Sequence, residues 1–314
     1  MTFSFLKLLG LDANKTSSFL IINNNFLIAV QLGNKKGKFV VSGYNEIELD
    51  GSVMKEGAIW DTNSFQEVLI KLFKEAKPNS IKTDTIYINI PFEVIYPFLK
   101  DFSGNTTEEI AERSIDDIIN NNSPIPLSDL SLHTKFHKNH IFTYGVIAVP
   151  KHWENQLLEV CKNVGIKNCK FIPEPYIRTT FKTDDDVNDF TLFSFHKDRV
   201  FVSIFHNKIL YDSYFLMLSL LEGKPNCPVC FKEFLTGKDD LKNKFSIDIK
   251  DVYFIGFPRE FHNHIGAFLD SQDLNCNFID ETQSTFNKLF KTELNRATLI
   301  GLLQYVLSKK IDFE

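Results

Sequence analysis

The chain has 314 residues, 43% of them hydrophobic and 24% charged, and a formal net charge of -5. That length suits one large or two medium domains with sizeable cores. The acidic balance gives no electrostatic case for nucleic acid, and no apolar run approaches the roughly 18 residues that would span a bilayer. The first segment, MTFSFLKLLGL, carries a lysine within its apolar stretch and no small-residue cleavage site, so it reads as a packed N-terminal segment and the chain is expected in the cytoplasm. Ser18–Ile22, Phe26–Leu32 and Lys38–Leu49 are apolar, β-rich runs joined by short polar turns, NNN and NKKGK, which predicts a three-stranded meander. TNSFQEVLIKLFKEA then begins with a plausible cap and places Phe65, Val68, Leu69, Leu72 and Phe73 at helical spacing. Thr83–Pro91 reads as a buried strand ended by proline.

The next block, NTTEEIAERSIDDIINNNSPIPLSDLSLHTKFH, opens on Thr106, Thr107 and acidic residues, good chemistry for a helix start. Ile110, Ala111, Ser114, Ile115, Ile118 and Ile119 share one helical face, and the helix must stop before Pro124. SPIPLSDL is expected to be extended, and LSLHTKFHKNHIFTYGVIAVP a hairpin turning at HKNH. His133, His137 and His140 read as solvated histidines near that turn, since neither carboxylate nor cysteine completes a ligand set in the sequence. HWENQLLEVCKNVGI is amphipathic and ends near Gly165; KFIPEPYIRTTF is a strand leading into a helix. The acidic stretch Lys182–Asp189 marks a boundary, and the second part restarts the plan as three strands with turns HKD and HNK. Leu220–Lys250 reads as a variable connector, followed by a strand, a loop, a helix, another strand and a C-terminal helix.

Five cysteines, Cys161, Cys169, Cys227, Cys230 and Cys276, are an odd and mostly dispersed set, which argues for a reducing compartment. Only CPVC, Cys227 to Cys230, has suggestive spacing. A zinc site needs a second pair of ligands, and His196, His206, His262 and His264 form no close half-site; a redox pair wants a strand before its helix. The two thiols therefore read as incidental residues of a connector.

A duplicated unit of meander, helix, strand and helix, with a helix-and-hairpin block inserted at about 84–150, resembles the actin-like ATPases, specifically their FtsA and PilM branch. The stretch Pro124, Ile125, Pro126, Leu127 and Asp129 after an amphipathic helix resembles a PilM segment, and Gly165, Glu174 and Pro175 resemble that family's glycine, strand, glutamate-proline run. The resemblance implies an α/β, duplicated ribonuclease-H-like fold: a first half over 1–182 including the insertion, and a second over 188–314 with a reduced insertion at about 220–250.

In that family the first turn follows an aspartate and offers glycine and small hydroxyl residues to phosphate, while the aspartate orients magnesium through water. Laid on this chain, the aspartate position falls on Ile21 and the turn on Asn23, Asn24 and Asn25. The second phosphate turn falls on Ser194, Phe195, His196 and Lys197, and the adenosine-side turn keeps only Gly256. Isoleucine cannot hold a hydrated cation, and asparagine side chains fill space where phosphate would meet bare backbone. The expectation is a vacant, degenerate nucleotide site with no cofactor, no metal and no catalytic residues; ATP and magnesium enter only if that site still functions. The alternative is an active actin-like ATPase or sugar-kinase-like enzyme, for which Asp61 is the nearest spare carboxylate.

The resemblance further implies a structural adaptor of a type IV pilus or related secretion platform, cytoplasmic and peripheral at the inner face of the inner membrane. Its partner would be a PilN-like single-pass membrane protein, held by its short N-terminal tail. Ile115, Ile118, Ile119, Pro124, Ile125, Pro126 and Leu127 are the candidate partner-binding residues.

Overall fold

The computed structural model describes residues 16–279, apart from 24, 36–37, 103–107, 139–141, 182–186 and 197–198, together with Leu302. The N-terminal segment, the capping pair Thr106 and Thr107, His140 and the predicted C-terminal helix other than Leu302 lie outside the described residues.

The first meander is β1 (Ser17–Asn23), β2 (Phe26–Lys35) and β3 (Lys38–Glu48), with Asn23 opposite Phe26 and Lys35 opposite Lys38 at its two turns. A short hairpin, β4 (Met54–Lys55) and β5 (Ala58–Ile59), leads into α1 (Thr62–Lys74). The cap of α1 is Asp61, whose carboxylate accepts from the N–H groups of Asn63 and Ser64. Of the predicted stripe, Phe65, Leu69, Leu72 and Phe73 are buried and Val68 packs partly against them. Then come β6 (Lys77–Pro78) and β7 (Thr85–Ile90).

The inserted block is β8 (Tyr96–Phe102), α2 (Glu108–Asn122), β9 (Leu130–Lys138) and β10 (Phe142–Pro150). The chain returns through α3 (Lys151–Asn163), β11 (Asn168–Pro173) and α4 (Glu174–Arg178). The second part has β12 (Phe190–His196), β13 (Arg199–His206) and β14 (Ile209–Met217), then the hairpin β15 (Leu220–Leu221) and β16 (Lys224–Pro225). It closes with α5 (Cys227–Cys230), α6 (Lys232–Phe245), β17 (Asp251–Ile255), α7 (Arg259–Asp270) and β18 (Asn275–Ile279).

The two large sheets have the same internal order. In the first, β3-β2-β1-β7-β11 runs as an antiparallel meander continued by two parallel strands, with β6 added outside β3; in the second, β14-β13-β12-β17-β18 does the same. This is the duplicated α/β plan the sequence implied. Phe19, Leu20, Ile21 and Ile22 are all buried, because a central strand covered on both faces loses the polar-apolar alternation. The main core extends from the first sheet into the second part through Phe190, Leu192, Phe205 and Leu210, and a separate core lies on the far side of the second sheet. Trp153 of α3 is fully buried and donates its indole N–H to the carbonyl of Gly57 in the β4–β5 turn, 2.7 Å. Trp60, just past β5, is 67% exposed.

The inserted sheet has the order β8-β10-β9, and the period of two along β10 decides what each face meets. Tyr144, Val146 and Ala148 point to α2 and form a third core with Ala111, Ile115 and Ile119. Ile147 and Val149 point the other way and join the main core. Gly145, on that same second face, lies against Ile209 of β14; a Cβ there would collide with the Ile209 Cγ2.

Several expectations are corrected. Ile110 is exposed, so the buried stripe of α2 is Ala111, Ile115 and Ile119. After Pro124 the segment does not stay extended: Leu127–Asp129 is a 3-10 turn, closed by the Asp129 N–H on the Pro126 carbonyl. His133 is not a solvated turn residue; it sits within β9, with its Nε2 3.5 Å from a carboxylate oxygen of Glu154 on α3. Tertiary folding supplied that carboxylate, which no local spacing could show. CPVC is a helical turn with both thiols buried, and the connector that holds it carries α6, packed through Phe231, Phe234 and Leu241. Burial holds both thiols above their usual pKa, Cys227 at about 11, which disfavours the reactive thiolate.

At the end of β1 the parallel ladder to β7 stops at Leu20 opposite Ile88, and the side chain of buried Asn89 takes over. Its Oδ1 accepts from the Ile22 N–H, 2.7 Å, and its Nδ2 donates to the Ile22 carbonyl, 3.0 Å. Asn89→Ala is expected to leave both groups of Ile22 unsatisfied and cost about 2–3 kcal/mol in denaturant unfolding. Gly145→Ala is expected to cost about 1–3 kcal/mol in the same measurement, since Ile209 must shift to make room.

Candidate functional site

The site lies in a cleft between the two large sheets, about 360 Å³ in volume. On the first-sheet side, the end of β1 delivers Ile22 and Asn23, and the turn after it Asn25, to the wall. The Asn23 carboxamide oxygen accepts from the Asn25 N–H, 3.2 Å, and the Asn25 carbonyl accepts from the Leu49 N–H, 2.7 Å. Asparagine side chains favour this local closure two residues on. A backbone donor at the turn is thereby already engaged by the chain itself. Ile21, at the position the resemblance assigned to aspartate, is buried in the main core.

On the opposite wall stand Ser194 of β12 and Arg199 and Phe201 of β13. Ser194 is buried and pairs in register with Phe201 on one side and Ile255 on the other. Gly256 follows β17 with a positive φ of 74°, a backbone state suited to glycine. The backbone of His196 ends β12, while Asn24 and Lys197 lie outside the described residues. The structure thus brings Asn23, Asn25 and Ser194 around one cleft, while Gly256 sits at the end of the neighbouring strand.

Residues that the sequence reading did not assign to the site line the rest of it. Phe92, in the 3-10 turn Phe92–Val94 after β7, stacks on Phe201 with ring centroids 4.5 Å apart and planes 11° apart. This contact joins the two halves across the cleft with an apolar surface. Glu174 and Arg178 of α4 form an ion pair at 2.9 Å, with side chains only 10% and 7% exposed. Lys55, Glu56 and Glu93 complete the charged lining. The signal for Arg178 was its spacing: four residues after Glu174 on a helix places the two side chains together. The signal for Asn89 was a lone amide inside the apolar run TIYINI. The Phe92–Phe201 stack left no sequence signal, because the partners are 109 residues apart by their numbers. Asp61 is engaged as the cap of α1 and is absent from the cleft lining. Among the described residues, no group of three or more His, Cys, Asp or Glu side chains is arranged to hold a metal ion.

The residues assigned to partner binding fall into two groups. Ile115 and Ile119 are buried in the third core, so they are withdrawn as groove residues: a side chain already enclosed by its own helix and sheet offers nothing to a peptide. Ile118, Ile125 and Leu127 are half-buried against the same core, and Pro124 and Pro126 are exposed. This stretch is held rigidly. The Ser123 hydroxyl accepts from the Ile125 N–H, 3.1 Å, and Lys151 at the start of α3 donates to the Ser128 carbonyl, 2.6 Å. It leads directly into β9, an edge strand of the inserted sheet, where Leu132 is exposed.

No protein-family profile and no curated protein sequence matches the chain. Solved structures do. A chain of the PilM–PilN type IV pilus biogenesis complex aligns with a TM-score of 0.64 at 11% identity, over 93% of this chain and 98% of that one. The cytoplasmic domain of EpsL, an inner-membrane component of the type II secretion system of Vibrio cholerae, aligns with a TM-score of 0.53 at 9% identity, over 95% of this chain and 98% of that one. Among the described residues no helix is long and apolar enough to cross a membrane. With its twice-repeated strand order, its cleft between the two sheets and its inserted sheet-and-helix block, the chain has the actin-like ATPase fold in a PilM-like arrangement.

Proposed function

We propose that this protein is a structural adaptor of a type IV pilus or related secretion platform at the inner membrane, and that it works without hydrolysing ATP. The observation that supports this reading is that two groups of the cleft, one on its turn and one on α4, are satisfied internally. The Asn23 side chain occupies the Asn25 N–H, and Arg178 neutralises Glu174, the buried carboxylate of the cleft. A hydrated magnesium ion needs a free carboxylate and a polyphosphate needs open backbone donors. The Asn25 N–H and the Glu174 carboxylate are thus not free for either role, and Glu56 and Glu93 are the carboxylates of the lining outside that ion pair. Likeness in fold to a PilM-containing complex and to EpsL supports the platform assignment.

The partner would be the short N-terminal tail of a PilN-like single-pass membrane protein. The rigid Pro124–Leu127 segment and the β9 edge beside it suit an extended peptide: main-chain pairing gives register, and Ile125 and Leu127 offer apolar contact. Engagement of a membrane-anchored tail would place the protein at the inner face of that membrane.

One observation favours the second reading, an active ATPase or sugar-kinase-like enzyme: Glu174 is a carboxylate lining the cleft. Calorimetry separates the two. Titration with magnesium-ATP is expected to give no binding stronger than about 1 mM, and a tighter constant with ATP turnover would establish the enzyme instead. The tail peptide of a membrane protein encoded beside this one is expected to bind. Leu127→Asp should weaken that binding about tenfold or more, near 1.4 kcal/mol. Ile115→Val should leave it unchanged while lowering stability by about 0.5–1.5 kcal/mol. Equal affinity of the wild type and Leu127→Asp would remove this face as the docking site.

A further inference from the structure

The inserted sheet belongs to the first part by sequence, yet it also grips the second part through a closed ring of polar side chains. His206, at the end of β13, has Nδ1 2.9 Å from Asp189 Oδ1 and Nε2 3.0 Å from Asp101 Oδ2. Asp101 is on β8, and Asp189 directly precedes β12. The Thr143 hydroxyl of β10 donates to Asp101 Oδ1, 2.5 Å, and accepts from the Asn207 Nδ2, 2.9 Å. The Asn207 N–H returns to Asp189 Oδ1, 2.9 Å, which closes the ring. Asp101 and Thr143 are odd-numbered positions on the face of the inserted sheet that also carries Gly145, and Ile209 of β14 fills the space above that glycine. Strand β14 runs alongside β8, and both are edge strands of their sheets.

We propose that Asp101, His206 and Asp189 form a clasp that pins the inserted sheet to the second half and so fixes the angle between the two large sheets. The clasp stands whether or not the protein has the partner proposed above. Its mechanics follow from the ring chemistry. An imidazole facing a carboxylate from each nitrogen must donate from both, and only the imidazolium has two N–H groups. The neutral ring keeps one donor; the Asn207 Nδ2 also lies 3.0 Å from His206 Nε2, so a deprotonated Nε2 would accept from that amide and the Asp101 arm would release.

The electrostatics have the matching sign. Burial pulls the His206 pKa down, but the hydrogen bonds and charges of Asp101 and Asp189 outweigh it and push the value up to about 9. Burial likewise raises both carboxylates, and His206 prevails to hold each below its ordinary value. Among the described residues the charged groups facing the ring are these two carboxylates; Thr143 and Asn207 are neutral, and neighbouring Lys100 turns away to the Ser114 hydroxyl of α2, 2.6 Å. A raised histidine contributes its full stabilisation below the ordinary imidazole value and loses it as pH rises through about 9. The depressed carboxylates contribute above their ordinary values and lose it in acid. The clasp is therefore closed at neutral pH and opens on the alkaline side.

Hydrogen exchange on the full chain, read by peptide and corrected for intrinsic rates, tests this. Between about pH 7 and about pH 10, which brackets the His206 value of about 9, wild-type exchange in β8 and in the first half of β14 is expected to rise about tenfold. Exchange in β1 and β7 is expected to hold steady. His206→Gln should show the fast rate already at neutral pH and lose the pH response. If wild-type β8 and β14 respond no more than β1, or if the response survives in His206→Gln, the clasp is wrong. Should the variant fail to fold, the wild-type profile alone decides, since general alkaline loosening would accelerate β1 equally.

Discussion

Backbone groups at the end of a central strand must find partners when the neighbouring ladder runs out. The rest of the cleft depends on how this chain meets that requirement at β1. The ladder to β7 ends at Leu20, and Asn89 supplies both missing hydrogen bonds to Ile22. One residue further, Asn23 folds its own side chain onto the Asn25 N–H. At this strand end the Ile22 and Asn25 N–H groups, which could otherwise meet a ligand, are engaged by the amide side chains of Asn89 and Asn23. The neutral cleft floor follows the same rule. Glu174 meets Arg178 within its own helix, and the aromatic faces of Phe92 and Phe201 meet across the gap. Breaking a buried ion pair by removing one partner is costly, so Arg178 and Glu174 hold one another in place.

The inserted sheet shows how much a single strand can organise. In β10, alternation sends Tyr144, Val146 and Ala148 to α2, and Ile147 and Val149 into the main core. Thr143 and Gly145, on that second face, reach the other half of the molecule. One strand therefore touches all three structural units, and its parity cannot slip by one residue without inverting every contact.

Much of this was legible in the residues. The meander turns, the amphipathic helices and the repeat were visible because period and turn chemistry are local properties. The unusual residues of the first turn were also visible, since isoleucine and asparagine are chemically unlike aspartate and glycine. Contacts that depend on closure in three dimensions were not. His133 gained Glu154, His206 gained two carboxylates from distant segments, and Phe92 gained Phe201, each across a separation that no periodicity spans. Strand β8 escaped notice because Pro97, Lys100 and Asp101 break its apolar pattern, and Asp101 is there to meet His206. The isoleucines of α2 misled for the opposite reason: a core stripe and a groove wall have the same spacing, and only burial tells them apart.

The β4–β5 hairpin beside the cleft has an optical consequence. The chain holds two tryptophans, and both report on this hairpin from opposite environments. Trp153 is sealed in the interior with its indole on the Gly57 carbonyl, whereas Trp60 stands in solvent with the Lys55 ammonium 5.6 Å from its ring centre. A blue-shifted, quencher-resistant emission from one and a red-shifted, quenchable emission from the other make the protein its own gauge. Movement of the hairpin would change the two signals in different ways, with no dye attached.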